Sequence, residues 1–293
     1  MNSRVLAFAW VSLAYVVALG AALLAAAGTE SSDPVVIAWW GDAAATVAIF
    51  AFSFVFRNSS FYDAYWSIAP IAIVFYWIAS AGPDSADPLR RMACTSLVVI
   101  WGARLTFNWA RGWTGLDHED WRYRDLQQTT GRAYWAVSFL GIHSMPTVMV
   151  FLGCLPVHTA VATGSAPLGW IDAIAALVTC SAIALEAASD QQLRQFVTTR
   201  RDSTEMLSSG LWSLCRHPNY LGEILFWWGL FLFGLAADTN TSWTAIGAIA
   251  ITGLFRAVSL PMIERRMAEG KPAFTEHAKR SNMILPSLRA LRS

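Results

Sequence analysis

Residues 214 to 223, LCRHPNYLGE, set Arg216, His217, Asn219 and Glu223 directly before the apolar run ILFWWGLFLFGL. Pro218 suits the first turn of a helix, where its missing N–H goes unused. Asn219 and Glu223 then fall four residues apart on one helical face, with Tyr220 beside them and Arg216 and His217 at the helix mouth. A helix start flanked by Arg and His attracts phosphate, so the chemistry expected here is the grip of an anionic ligand.

Other stretches place polar groups where apolar sequence surrounds them. In WGARLTFNWARGW, Arg104, Asn108 and Arg111 follow at i, i+4 and i+7 and share a face, with an internal partner expected for Arg104 and a headgroup anchor for Arg111. LEAASDQQLRQF sets Glu186, Asp190 and Arg194 four residues apart, a spacing that pairs acid with base along a single helix. FRAVSLPMIERRM carries Arg256, Glu264 and, between them, Pro261, which should kink the helix and open backbone groups. FYDAYWS gathers Tyr62, Asp63, Tyr65 and Trp66. Asp63 would be a helix cap there or, if burial keeps it protonated, a proton donor; Tyr62 or Tyr65 would donate directly or through it. His143, Pro146 and Asp42 are weaker signals and read as structural.

These groups need elements to hold them, and composition says which. The chain has 293 residues, 55% hydrophobic and 14% charged, with a net charge of +1. That balance belongs to membrane proteins and lacks the basic stripe a nucleic-acid partner requires. No protein partner is evident. Cys94, Cys154, Cys180 and Cys215 stand apart from one another and from histidine, which excludes a zinc or disulfide framework and leaves no metal site.

A helix crossing the hydrocarbon needs roughly 20 apolar residues. Eight stretches come near that length: 5–27, 36–56, 63–81, 92–110, 133–155, 168–188, 218–236 and 243–262. The fold expected is therefore all-α, a polytopic bundle of seven to eight transmembrane helices around a cytoplasm-facing cavity. The first run exceeds the usual signal-peptide core, so it is read as a retained span rather than a cleaved leader. Arg4, Arg57, the 111–132 and 189–217 loops and the tail after 264 hold most of the Lys and Arg, which places both termini in the cytoplasm. Arg90 and Arg91 dissent, lying at the outer end of the fourth span, where snorkelling to the interface is the expected resolution.

With YDAYW, WGARL, EDWRYRDL, RHPNYLGE and LPMIERRM followed by a distal ILP, the chain resembles the membrane steroid 5-alpha-reductase family, its bacterial branch and the related sterol C14 reductases. The likeness runs from about residue 55 to 290; residues 1–35 form an extra N-terminal helix with its outer loop and 36–293 the reductase-like domain. The resemblance implies a bacterial inner-membrane enzyme that uses NADPH to reduce a conjugated carbon–carbon double bond in a steroid or similar hydrophobic lipid. It carries cofactor contacts onto Asp190, Asn219, Glu223 and Arg256, and onto Arg111, Arg122 and Tyr123. The family's Gln-Glu pair and Tyr around the steroid ketone find their nearest positions at Asp63 and at Trp101 or Tyr65. A cofactor-site His of the animal enzymes falls near Leu260, which puts the substrate in doubt. Isoprenylcysteine carboxyl methyltransferases share an RHPxYxG helix that holds S-adenosylmethionine, and an inert lipid-binding or transporter-like bundle is the remaining alternative.

Overall fold

The structure, a computed structural model, describes residues 3–82, 84–202 and 204–286. All regular elements among them are helical. Helices α1 (Ser3–Gly28) and α2 (Pro34–Phe56) pack as a hairpin. Asp33 caps α2 by accepting from the Val35 N–H, and Pro34 fills its first turn. A 3-10 turn, Ser59–Tyr62, leads into α3 (Tyr65–Ser80), and Asp87 with Pro88 repeats the same cap at the start of α4 (Pro88–Gly112).

Beyond α4, the short α5 (Trp121–Thr130) precedes a long rod in which α6 (Tyr134–Val137) and α7 (Met145–His158) are joined and extended by π-helical stretches Ser138–Ser144 and Thr159–Thr163. Then come α8 (Trp170–Thr199), a single turn α9 (Leu211–Leu214) and α10 (Pro218–Ala237). A last rod combines α11 (Ala245–Leu254) and α12 (Leu260–Gly270) through a π-helical turn, Phe255–Ser259, before α13 (Phe274–Arg280). The irregularity expected from Pro261 is this π turn, which ends just ahead of the proline.

Among the described residues seven helical runs are long and apolar enough to cross a membrane. The eighth rod, α4, is as long, but Arg90, Arg91, Arg104 and Arg111 make it more polar. The chain is thus an all-helical, multi-pass membrane protein. Residues 4, 57–63, 111–134, 190–202, 204–217 and 264 gather at one end of the bundle, the basic end, as contacts such as Arg4 to the Trp113 carbonyl show.

α8 and α10 form the closest helix pair, and glycine makes it so. A Cβ at Gly222 would stand 2.8 Å from the Glu186 Cβ and 2.9 Å from the Ala182 carbonyl oxygen, and one at Gly229 would overlap Thr179. Small residues let helix backbones approach where no water drives association. The consequence for function is that α10 presses its polar first turns onto Glu186 and Asp190.

At the opposite end, Arg90 corrects the snorkelling expectation. It is 1% exposed and forms a two-point pair with Asp172 of α8, at 2.6 and 2.9 Å, while its remaining N–H groups donate to the Ala166, Pro167 and Ala236 carbonyls. Arg91 likewise donates inward, to Val161. Carbonyls of the 166–167 loop, of the π-helical stretch Thr159–Thr163 and of the last turn of α10 supply the acceptors that lipid could not.

Candidate functional site

One polar cluster lies at the basic end between α4, α8 and α10. Arg104 pairs with two carboxylates, Glu186 at 2.5 Å and Asp190 at 3.0 Å. This corrects the single-helix pairing expected for Glu186, Asp190 and Arg194: the acids turn toward α4, and Arg194 is exposed. Asn108 and Asn219 both donate to Asp190, at 3.1 and 3.3 Å, and the Asn108 oxygen receives Arg111 at 2.9 and 2.6 Å. Arg111 is therefore tied into the cluster rather than held by headgroups.

Glu223 forms the floor. Its two oxygens accept from the indole N–H groups of Trp101 and Trp227, at 2.9 and 2.8 Å. Trp101 stacks on Phe226 with ring centres 4.4 Å apart, so an aromatic wall closes the apolar side. The open side is polar, since the Arg104 and Asp190 side chains keep 16% and 13% of their surface accessible.

The cluster is unfinished. Arg104 Nε, Glu186 Oε2 and Asn219 Oδ1 are buried without a hydrogen-bond partner, and Arg104 Nη2 touches Glu186 without the alignment of a hydrogen bond. Buried polar atoms are normally satisfied, and each one left open costs about 1–3 kcal/mol. One guanidinium donor and two oxygen acceptors left open in one cluster suit a ligand group that both donates and accepts, such as a carboxamide or a sugar diol.

A second group surrounds Asp63. Tyr123 of α5 donates to it at 2.8 Å, and neighbouring Asp120 holds Arg122 at 2.8 and 2.9 Å while capping α5 through the Arg122 N–H. Burial alone would raise the Asp120 carboxyl, but Arg122 outweighs it and leaves the group below its ordinary value. Asn58 and Ser59 stitch the 116–119 loop to the 3-10 turn, through the Leu116 and His118 carbonyls and Glu119.

A third group lies deeper. Tyr65 donates to Asp42 at 2.6 Å, and Tyr62, Thr147 and Thr46 exchange hydroxyl contacts of 2.8 and 2.9 Å nearby. The structure thus separates what FYDAYWS brought together: Asp63 turns to α5, whereas Tyr65 and Tyr62 turn to α2 and α7. Asp42 is 5% exposed and keeps one oxygen, Oδ2, unpartnered. Its depth in an apolar span was the signal available for it, and its partner lies 23 residues along the chain, out of reach of local spacing.

Arg216, His217 and Glu264 are occupied otherwise than expected. Arg216 and His217 converge on Glu264 at 2.7 and 3.1 Å, and Arg216 also donates to the Ala278 and Ser281 carbonyls. The Arg216 and His217 N–H groups bind the Asn282 and Met283 carbonyls, so this triad clasps the segment after α13. Arg256 is exposed and reaches Met283, and Tyr220 packs edge-on against Phe255.

A family described as a protein of unknown function, DUF1295, matches residues 49–281, which contain the α4–α8–α10 cluster and the Asp63 group. The chain belongs to the DUF1295 family. An uncharacterized protein of Schizosaccharomyces pombe is 26% identical over 254 residues, covering 79% of this chain and 74% of the relative. The cobalt-zinc-cadmium resistance protein CzcN of Cupriavidus metallidurans is 33% identical over 94 residues, 32% of this chain and 40% of that protein. No solved structure matches. In this DUF1295 protein no group of His, Cys, Asp or Glu among the described residues has metal-binding geometry.

Proposed function

We propose that this DUF1295 protein is an NADPH-dependent reductase of a conjugated carbon–carbon double bond in a hydrophobic enone, a 3-oxo-steroid or a lipid of similar shape. The observation that carries the proposal is the unfinished cluster of Arg104, Glu186 and Asn219, buried at the rim of an aromatic wall. Its open donor and acceptors fit the carboxamide and ribose end of a nicotinamide nucleotide, and NADPH, when bound, would supply the hydride for the β carbon. Arg111 and Arg122 stand on the polar side as counter-charges for its phosphates.

The chain's own residues do the rest. Trp101, Phe226 and Trp227 exclude water behind the ring, which strengthens every hydrogen bond formed there. Negative charge that develops on the enone oxygen requires a donor already aimed at it. Tyr65, held against Asp42 in the dry interior, is assigned that role: with Asp42 protonated, its carboxyl O–H would donate to the Tyr65 oxygen, free the phenol O–H for the enone oxygen and return a proton to Tyr65 after transfer. Asp63 with Tyr123 is the other donor pair within the fold. Loss of a positioned proton donor lowers turnover roughly 100- to 10,000-fold, so Tyr65→Phe should abolish most turnover and keep NADPH binding; Tyr123→Phe should do little. The opposite ranking moves the donor to Asp63.

The same open atoms also complement the ammonium and carboxylate of an amino acid, which keeps S-adenosylmethionine as a second reading. The deciding experiment purifies the protein in mild detergent, identifies co-purifying small molecules by mass spectrometry and titrates both nucleotides. NADPH retention, together with NADPH oxidation on adding a 3-oxo-4-ene steroid, is the expected result. Retention of S-adenosylmethionine makes the protein a methyltransferase, and binding of neither overturns the assignment of a nucleotide site.

A further inference from the structure

Away from the cluster, a groove of about 620 Å³ opens at the basic end where α2 ends and α6 begins. Arg57 and Arg132 line it together with Phe54, Val55, Tyr134 and Trp135. Neither guanidinium has a carboxylate or carbonyl partner among the described residues, although nine other arginines of this fold do. Phe54 and Val55 are 52% and 72% exposed on the last turn of a membrane span, so lipid chains must cover them. Trp135 packs edge-on against Phe54, 5.1 Å between centres, and the Tyr134 hydroxyl is anchored 2.7 Å from Ser59. Aromatic rings at this depth mark the interface between headgroups and acyl chains.

The backbone on both sides is bent to deliver the arginines. Arg57 closes α2 in the left-handed conformation, φ 51° and ψ 42°, as the sole non-glycine with positive φ among the described residues. That position usually belongs to glycine or asparagine. Across the groove, Gly131 also takes a positive φ, 51° with ψ −118°, directly before Arg132.

We infer that this groove binds the headgroup of an anionic phospholipid, with the phosphate between Arg57 and Arg132 and the acyl chains along Phe54 and Val55. Two unpaired cations above an apolar, lipid-facing wall fit a molecule that is anionic at one end and apolar at the other; a soluble phosphate would leave the wall unused. The inference is independent of the reductase reading.

Native mass spectrometry of the detergent-purified protein tests it, comparing phosphatidylglycerol with phosphatidylcholine of matched chains. The wild type should retain phosphatidylglycerol preferentially, and Arg57→Gln with Arg132→Gln should reduce that preference roughly thirtyfold, as two cations near a headgroup imply. Arg57→Lys with Arg132→Lys should keep most of it, and Arg132→Gln alone, on an exposed turn, gives a partial loss should the double variant not fold. Millimolar inorganic phosphate should not displace the lipid. Equal retention of the two lipids by the wild type, an unchanged preference in the Gln variants, or displacement by phosphate each overturns the inference.

Discussion

The same two helices, α4 and α8, are bridged twice by an arginine and an acid, and fourteen residues separate Arg90 from Arg104 just as they separate Asp172 from Glu186. Fourteen residues are about four turns of helix, so both bridges occupy one face of a parallel pair. Yet the bridges differ in completeness. Arg90 has a carboxylate, two loop carbonyls and one carbonyl from the last turn of α10 around it, and its side chain is fully enclosed. Arg104 faces more negative charge but retains a free N–H, and open oxygens remain on Glu186 and Asn219. A closed bridge fixes helices; an open one has capacity left for something else.

The sharpest way to break this comparison is at the closed bridge. Replacing Arg90 by Met strands the Asp172 carboxylate in the interior, and removal of one partner of a buried pair costs about 3–5 kcal/mol. Thermal or SDS-induced unfolding of the purified protein should register that loss. Arg90→Met with Asp172→Leu should recover most of it, because no unpaired charge remains. A single variant as stable as the wild type would show that the bridge does not hold α4 to α8.

At the open bridge the ligand response should fall together with stability. The Glu186 side chain, 6% accessible, is as enclosed as Asp172 at 10%, so Arg104→Met also strands a carboxylate. A ligand at about 100 times its dissociation constant stabilises by about 2.7 kcal/mol; that gain, read as an upward shift of the unfolding midpoint with NADPH, should vanish in Arg104→Met. Asn219→Ala and Glu186→Gln each remove one acceptor and should weaken binding about tenfold or more. If NADPH stabilises Arg104→Met as it does the wild type, the open atoms are not where the nucleotide sits.

How much of this was legible beforehand depended on whether the partner was near in sequence or in space. Hydropathy located the eight rods, because crossing lipid imposes length and apolarity on each span separately, but not all their ends, since α8 runs on to Thr199, the α6–α7 rod to Thr163 and the last rod to Gly270. Arg104, Asn108 and Arg111 announced a polar face by their own spacing, and Asn219 and Glu223 did the same. What spacing cannot report is which helix lies opposite. Asp190 therefore seemed matched to Arg194 although it faces Arg104, and Tyr65 seemed grouped with Asp63 although it faces Asp42. Arg216 and His217 at a helix start have the right chemistry for phosphate, but Glu264 and the 281–283 carbonyls reach them from far along the chain.

The mildest test contrasts the cluster with the loop beside it. Asp120 caps α5 and holds Arg122, at a site where both side chains are partly accessible, 24% and 34%. Loss of an N-cap costs about 1 kcal/mol, and solvent screens the ion pair, so Asp120→Ala should loosen residues 116–130 without unfolding the bundle. Hydrogen exchange should quicken there and stay unchanged in α8 and α10. Because Arg122 holds the Asp120 carboxyl below its ordinary value of about 3.9, the stability it lends is fully present above that pH and is lost only as acid carries the solution through the lower, folded value. Between pH 5 and 8 the protection of this loop should therefore be flat as far as Asp120 is concerned. A loop that loosens on passing from pH 8 to 6 must be docked by a different titrating group, and its α5 cap would then be incidental to how the basic end is closed.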